Sequence, residues 1–334
     1  MCSLAHEHED SCPSRRKNLM KSDLRIAAYL GVKDEVELIE RSIDHLRAIG
    51  VDYIMACDMS STDGTAELLE KYCAPDFSIL TLTNKALGKR ADKDDTWFSH
   101  SERRYKNAPA DWVIFLDADE FWLPASGNLK DCEALYSADV LSVERFNVVL
   151  GPDGPLIPMD LAPNNYDRVL LFAEAIPDFR LEKQKNEDLP WIMGAVGPKI
   201  AARPSKIDGT ITGQHDAIAN SEVLLRTIPN DLVIAHVALS TRKRFERKVS
   251  NIRAICDDEG IDLSLPEEGW RNHPLAWHWR RWATLAEPDE EFAHNITSSD
   301  CIARLRSEGV IRSAQEMLAE RAAAHGPVDA PAFL

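Results

Sequence analysis

The chain has 334 residues, 44% hydrophobic and 28% charged, with a formal net charge of −16. That balance predicts a soluble globular protein with a substantial core, and the acidity excludes a chain that coats nucleic acid or an anionic membrane nonspecifically. Seven cysteines, odd in number and scattered, exclude a disulfide framework and predict reduced thiols in a cytoplasmic setting.

Residues 1–22 have no apolar segment of signal-peptide type and read as a disordered lead-in. Cys2, His6, His8 and Cys12 lie there, metal ligands by type but on a tail without the folded surroundings that make a site specific. No run of about 18 apolar residues occurs, so no transmembrane helix is expected. The first strand is predicted at LRIAAYLGV, 24–32. A helix follows over 36–49, with Val36, Ile39, Ile43, Leu46 and Ile49 at helical spacing and Gly50 as its stop. VDYIMACD, 51–58, is a second strand, and STDGTAELLEKY opens a second helix. Strand, helix, strand, helix predicts a parallel sheet with right-handed crossovers.

A polar stretch, NKALGKRADKDD, precedes a helix expected through WFSHSERRYKNA and a buried strand at WVIFL. DVLSVERFNVVL, 139–150, alternates as one further strand. Proline and glycine from Gly151 onward mark loops, and KIAARP, TITGQHDAI and LVIAHVAL read as short strands. After Ser240 the pattern becomes helical, beginning with TRKRFERKVSNIRAICDDEG. The expected organisation is a lead-in over 1–22, an α/β domain over 23–240 and a mainly helical extension over 241–334.

WVIFLDADEFW, 112–122, raises the chemical question, because a buried strand runs into Asp117, Asp119 and Glu120. If the chain stays extended, Asp117 and Asp119 share a face and repel unless a cation sits between them. Mg²⁺ or Mn²⁺, which takes one or two carboxylates together with phosphate oxygens, satisfies that arrangement. The competing reading is an acidic turn that caps the next helix. The second strand ends similarly, in Asp58, Ser60, Ser61, Thr62 and Asp63-Gly64. This is either a turn with a helix cap, or an acid for a nucleobase or ribose beside a helix N-terminus that faces anionic oxygens. Strand one ends in Asp34-Glu35. Ligands of open parallel sheets bind at the carboxyl ends of the strands, and three successive ends here carry an acid.

LGVKDEVELIERSIDHLRAIGVDYIMACDMSSTDGTAELL followed by WVIFLDADEF resembles the family 2 glycosyltransferases over residues 24 to 125. The nearest branch is the soluble, nonprocessive one whose metal motif reads D-x-D-E-F. GPKIAARP, GQHD and VIAHVALSTRKRFERKV resemble that branch's later strands, its histidine near the metal and its following basic helix. The resemblance implies a GT-A fold, with a mostly parallel central sheet and flanking helices. It also implies a nucleotide-sugar donor (a UDP-sugar favoured), Mn²⁺ or Mg²⁺, a carbohydrate or glycoconjugate acceptor, and inversion at the anomeric carbon. The family often has Asn-Glu where this chain has Asp34-Glu35, which leaves the donor open.

On that resemblance Asp119 holds the metal, Asp117 contacts metal or donor ribose, and His236 completes the coordination, with His215 a second candidate. Glu35 and Asp58 hold base and ribose, assisted by Ser60 and Asp63. An inverting transfer needs one carboxylate as base. Asp216, Glu174, Asp178 and Glu120 are eligible, and Asp216 is favoured for its place after His215. Lys89, Arg90, Arg103 and Arg104 are candidate cations for the leaving phosphate, with a solvated helix face the favoured reading of Arg103 and Arg104. WHWRRW, 277–282, resembles the Gln-x-x-Arg-Trp acceptor motif of processive members, with His278 at the Gln position. It is read as packing, with a sugar platform as the other reading. The basic helix Arg242–Lys248 is read as a solvated face, with peripheral membrane or partner contact as the alternative. The competing functions are a nucleotidyltransferase and a catalytically silent nucleotide-sugar binding protein.

Overall fold

A computed structural model describes residues 23–82, 105–176, 178–220, 223–264, 277–324 and 328–329. The central sheet has eight strands in the order β17–β14–β6–β11–β4–β1–β2–β3. These are β1 Ile26–Val32, β2 Tyr53–Asp58, β3 Phe77–Thr81, β4 Trp112–Asp117, β6 Val140–Val143, β11 Lys199–Ala202, β14 Arg226–Ile228 and β17 Val328–Asp329. β3, β2, β1 and β4 run parallel, as does β14 beside β6, while β11 and β17 are reversed. The order places β1 centrally, and every residue of it is buried. Both faces are covered, which is why parallel strands read as continuous apolar runs. Ala28, Leu30, Ile114 and Leu116 face the helices α1 (Ile39–Ala48) and α2 (Thr65–Lys71), and Ala27, Tyr29, Val113 and Phe115 pack on the opposite side with Tyr105.

α1 begins at Ile39 rather than Val36, because the preceding residues are spent on a turn tied to the second loop. Gly50 follows it with φ +89°, and a Cβ there would lie 2.5 Å from Asn128 Oδ1, so the predicted stop is also a close approach. The stretch 139–150 is not one strand. β6 ends at Val143, and the chain passes at Glu144 into β7 (Arg145–Asn147), which belongs to a second sheet. TITGQHDAI is likewise broken, with Gly213 at φ +77° and Gln214 at φ +58° turning the chain between β12 (Ile207–Thr210) and β13 (Ala217–Ala219). The helix expected over WFSHSERRYKNA, together with Lys89, Arg90, Arg103 and Arg104, lies almost wholly outside the described residues, as does the tail bearing Cys2, His6, His8 and Cys12.

The second sheet is β5 (Glu120–Pro124), β15 (Leu232–His236) and β7, with β15 central, antiparallel to β5 and parallel to β7. The last third of the chain does not stand apart from these sheets. Its helices are α4 (Arg242–Glu259), α5 (Trp277–Ala283), α6 (Pro288–His294), α7 (Ser299–Ser307) and α8 (Ala314–Ala323), α3 being Phe179–Lys185. β17 extends the edge of the central sheet, and β16 (Ile311–Ser313) pairs with β10 (Leu170–Phe172). Met317 and Leu318 share a core with Phe121 and Val233. Residue 240 is therefore a change of composition inside one continuous packing unit. The described cysteines are free thiols. No helix among the described residues is long and apolar enough to cross a membrane.

Candidate functional site

The three acidic strand ends lie level. Register pairs Val32 with Asp58 on one side of β1 and Gly31 with Asp117 on the other. The extended premise for Asp117 and Asp119 does not hold. The chain turns at Ala118–Asp119 from the central sheet into β5, and the turn is closed by Asp117 N donating to Glu120 Oε2 at 2.9 Å and Val237 N donating to Asp119 O at 2.8 Å. Asp117 is therefore separated from Asp119. Its side chain is 49% exposed and accepts from Lys199 Nζ at 2.8 Å. Asp119 is buried at the corner itself.

His236 ends the middle strand of the small sheet, in register with Glu120 on one side and Asn147 on the other. Asn147 Nδ2 donates to Ile192 O at 3.0 Å and Gly194 O at 3.2 Å, so its Oδ1 is the atom facing His236 Nδ1 at 2.7 Å. An amide oxygen only accepts, so Nδ1 carries the imidazole proton and Nε2 presents its lone pair. That lone pair lies 3.7 Å from Asp119 Oδ2. Burial pushes the His236 pKa down to about 4 despite the Asp119 charge. Burial also opposes ionisation of Asp119, but the cations around it, Lys248 and Arg244 among them, hold the carboxyl well below its usual range. A neutral imidazole nitrogen and a carboxylate oxygen thus confront each other without a proton between them.

Among the described residues Asp119, Glu120 and His236 can place one ligand atom each within 4.8 Å of one another. Glu120 is otherwise occupied. It is buried, pairs with Arg145, lies 3.6 Å from Lys199 Nζ, and has its pKa raised by burial. Lys199 shows the reverse: burial disfavours its charge, but Asp117 and Glu120 prevail and raise its pKa. Asp119 and His236 are the pair whose donor atoms suit a divalent ion, an imidazole oriented by a second residue being the usual form of such a ligand.

The residues expected from the sequence to face a nucleotide are held mainly by one another. Asp58 is buried, and Ser61 N donates to its Oδ1 at 3.1 Å. Ser60 adopts φ +59°, donates its hydroxyl to Leu82 O, and accepts from Lys33 Nζ at 2.5 Å through its carbonyl. Asp63 accepts from Val36 N at 3.1 Å, from Thr65 N at 3.0 Å and from Arg247 at 2.6 Å, which makes it the staple between the two loops. Asp34, at φ +53°, accepts from Thr62 N at 2.6 Å and Asn251 Nδ2 at 2.7 Å. Asp34 is thus spent on holding loops together.

The basic helix is not a solvated face. Arg244, 3% exposed, donates to both oxygens of Glu35 at 2.7 and 2.8 Å, to Asp119 Oδ2 at 2.7 Å, and to the carbonyls of Val237 and Ala238. Lys248 Nζ stands 3.7 Å from Asp119 Oδ2. Positions 244, 247, 248 and 251 fall on one stripe of α4, and that stripe faces the acidic strand ends. Burial raises the pKa of Glu35 against Arg244's pull, while Glu35 and Asp119 together raise that of Arg244 against burial. Arg145, Asn147, Lys199 and Asn251 were not singled out from the sequence. Nothing in their spacing marks them.

Asp216, the favoured base, accepts from Arg226 Nε at 3.0 Å and from Ala217 N at 2.7 Å. This ion pair ties the start of β13 to β14. Glu174 and Asp178 are exposed. His215 has its Nδ1 on Pro198 O at 2.6 Å, and burial lowers its pKa. In WHWRRW, Trp282 is buried against Phe245, His278 and Trp191, with ring centroids 5.3, 5.3 and 5.8 Å away, and Arg280 is buried and donates to Asp262 O. Those described side chains are packing.

No protein-family model matches the chain, and no curated protein does. Solved structures similar to it include glucosyl-3-phosphoglycerate synthase from Mycobacterium tuberculosis with Mn²⁺, uridine diphosphate and glucosyl-3-phosphoglycerate. The identity is 14%, over 58% of this chain and 64% of that one, with a TM-score of 0.30. TarS from S. aureus is 15% identical over 74% of this chain and 41% of its own, TM-score 0.32. Mannosyl-3-phosphoglycerate synthase from Rubrobacter xylanophilus is 16% identical over 55% and 54%, TM-score 0.29. The chain spans less than two thirds of each.

Proposed function

We propose that the protein is a metal-dependent glycosyltransferase of GT-A type, transferring a sugar from a nucleotide-sugar donor to an acceptor hydroxyl with inversion. The observation that carries this reading is the confrontation of His236 Nε2 with Asp119 Oδ2 at 3.7 Å, at the carboxyl edge of a parallel sheet. Asp119 and His236 would hold Mn²⁺ or Mg²⁺, with Asp117 on the donor side. The ion, when bound, supplies charge stabilisation to a diphosphate leaving group.

The chain's own residues do the rest. The loop ends carrying Asp58, Ser60 and Glu35, held by Asp63, form the nucleotide side, and a UDP-sugar is the favoured donor. Lys248 adds a cation at the corner. In the reaction the acceptor oxygen bonds to the anomeric carbon, the anomeric C–O bond to the diphosphate breaks, and the nucleoside diphosphate leaves with the bonding pair. The hydroxyl proton passes to a carboxylate of the site.

The experiment is metal-dependent hydrolysis of UDP-, GDP-, dTDP- and CMP-linked sugars by wild type and Asp119→Ala. Release of one nucleotide that requires Mn²⁺ or Mg²⁺ and is lost in the variant supports the reading. Absence of both turnover and metal-dependent donor binding by calorimetry would end it.

A further inference from the structure

Beside the corner lies a cleft of about 350 Å³, at the small end of the range for small-molecule sites. We infer that it is an acceptor subsite for a hydroxyl compound with an uncharged, apolar aryl or alkyl body. This inference rests on the transferase reading and adds the class of acceptor to it.

The nucleotide side lies at the ends of β1 and β2, and the metal corner follows β4. The cleft is lined from β6, β7 and β14, by Ser142, Phe146 and Ile228 among others, so β4 and its corner separate it from β1 and β2 in the strand order. A compound in the cleft would therefore reach the corner from the flank of the sheet away from β1 and β2.

The cleft and the corner also share side chains. Arg145 and Asn147 line the cleft and also hold the corner, through Glu120 and His236 respectively. The same two side chains fasten the cleft wall Gly194–Pro198. Asn147 donates to Gly194 O and Arg145 Nε donates to Gly197 O at 3.0 Å, while His215 Nδ1 contacts Pro198 O. A Cβ on Gly194 would meet the Phe179 ring at 3.0 Å, and one on Gly197 the His215 ring at 3.0 Å. The wall is fixed at both ends, with Ala195 and Val196 lining the cleft between them.

Chemistry sets the class. Phe146, Phe172, Ala175, Ala195, Val196 and Ile228 supply an apolar lining. Among the described lining residues the charged groups are already paired, Arg145 with Glu120 and Glu144 with Arg321. A phosphate or carboxylate on the acceptor would be desolvated there without an unspent cation, whereas an apolar body loses only water.

The test uses the full chain, Mn²⁺ and the intact nucleotide-sugar that the donor panel identifies, with 2-phenylethanol, 1-octanol, glycerol and glycerol 3-phosphate as acceptor probes. The variants are Ala195→Trp and Ala175→Trp, both at exposed positions that can accept a larger side chain without disturbing the core. Expected is glycoside formation and faster nucleotide release with an apolar alcohol only, reduced about tenfold or more in each variant while unstimulated hydrolysis stays within about twofold. Stimulation by glycerol 3-phosphate alone, stimulation by none of the probes, or apolar stimulation that both variants leave intact overturns the inference. Calorimetric binding of 2-phenylethanol without donor, lost in Ala195→Trp, reads the cleft separately. Its presence where turnover and metal-dependent donor binding are both absent would overturn the transferase reading and the acceptor role with it, leaving an apolar ligand site.

Discussion

Asn147 fixes the tautomer of His236: its amide nitrogen is committed to Ile192 O and Gly194 O, so its oxygen must take the Nδ1 proton and Nε2 must face Asp119. Asn147→Leu removes that constraint without adding charge. Mn²⁺ affinity, measured by calorimetry, is expected to fall about 10- to 100-fold, the usual loss when a ligand's orienting partner goes. Unchanged affinity would place the metal elsewhere.

Arg244 is the cation that lets Glu35 and Asp119 be buried within reach of each other. Arg244→Ala leaves both carboxylates enclosed with Lys248 as their remaining close cation, and should cost about 3–5 kcal/mol in urea unfolding. A loss under about 1 kcal/mol would mean that water reaches the corner and screens it, as at an exposed pair.

For Asp216 the ion pair with Arg226 decides the expectation. Asp216→Asn is expected to lower stability by about 1–3 kcal/mol, because Arg226 is left without its anion, and to leave turnover nearly unchanged. A loss of turnover beyond about 10²-fold with an unaltered melting temperature would identify Asp216 as the base after all.

His45 provides the pH prediction. Its Nε2 contacts Trp122 O at 2.7 Å, its ring packs on Phe121, and burial pushes its pKa from 6.5 down to about 4. The native state keeps it neutral while the unfolded chain protonates it near 6.5. Its contribution is therefore complete above that pH and is lost as pH falls towards 4, by at most about 1.4 kcal/mol per unit. His236 and His278, also lowered to about 4, steepen the slope in the same direction. Denaturant midpoints between pH 7 and 4 should fall less steeply for His45→Gln.

What the sequence displayed and what it concealed divide along physical lines. β1, β2, β4 and the first two helices are legible because burial on both faces writes itself as unbroken apolar runs, and helix periodicity as spacing. Asp119 and His236 are visible because an acid after a buried strand and a histidine within one contradict their surroundings. Lys199 and Asn147 are not, since each lies in a short strand whose partners come from distant parts of the chain. Arg244 sits in a stretch so basic that charge count suggests solvent, and only the helix register shows which face of it meets the acids. The break at Glu144 was hidden because alternation persists on both sides of a change of sheet.

One helix ties positions 34, 35, 37, 63 and 119 to positions 241, 244, 247 and 251. During synthesis, the strands bearing those acids are complete long before their cations leave the ribosome. A nascent chain ending at residue 240 therefore lacks the guanidinium that joins Glu35 to Asp119, although Lys33 already stands beside Asp34. Competence arrives late, when α4 emerges and settles across loops already stapled to each other. A stalled or shortened product would possess every acid of the corner and still lack the corner.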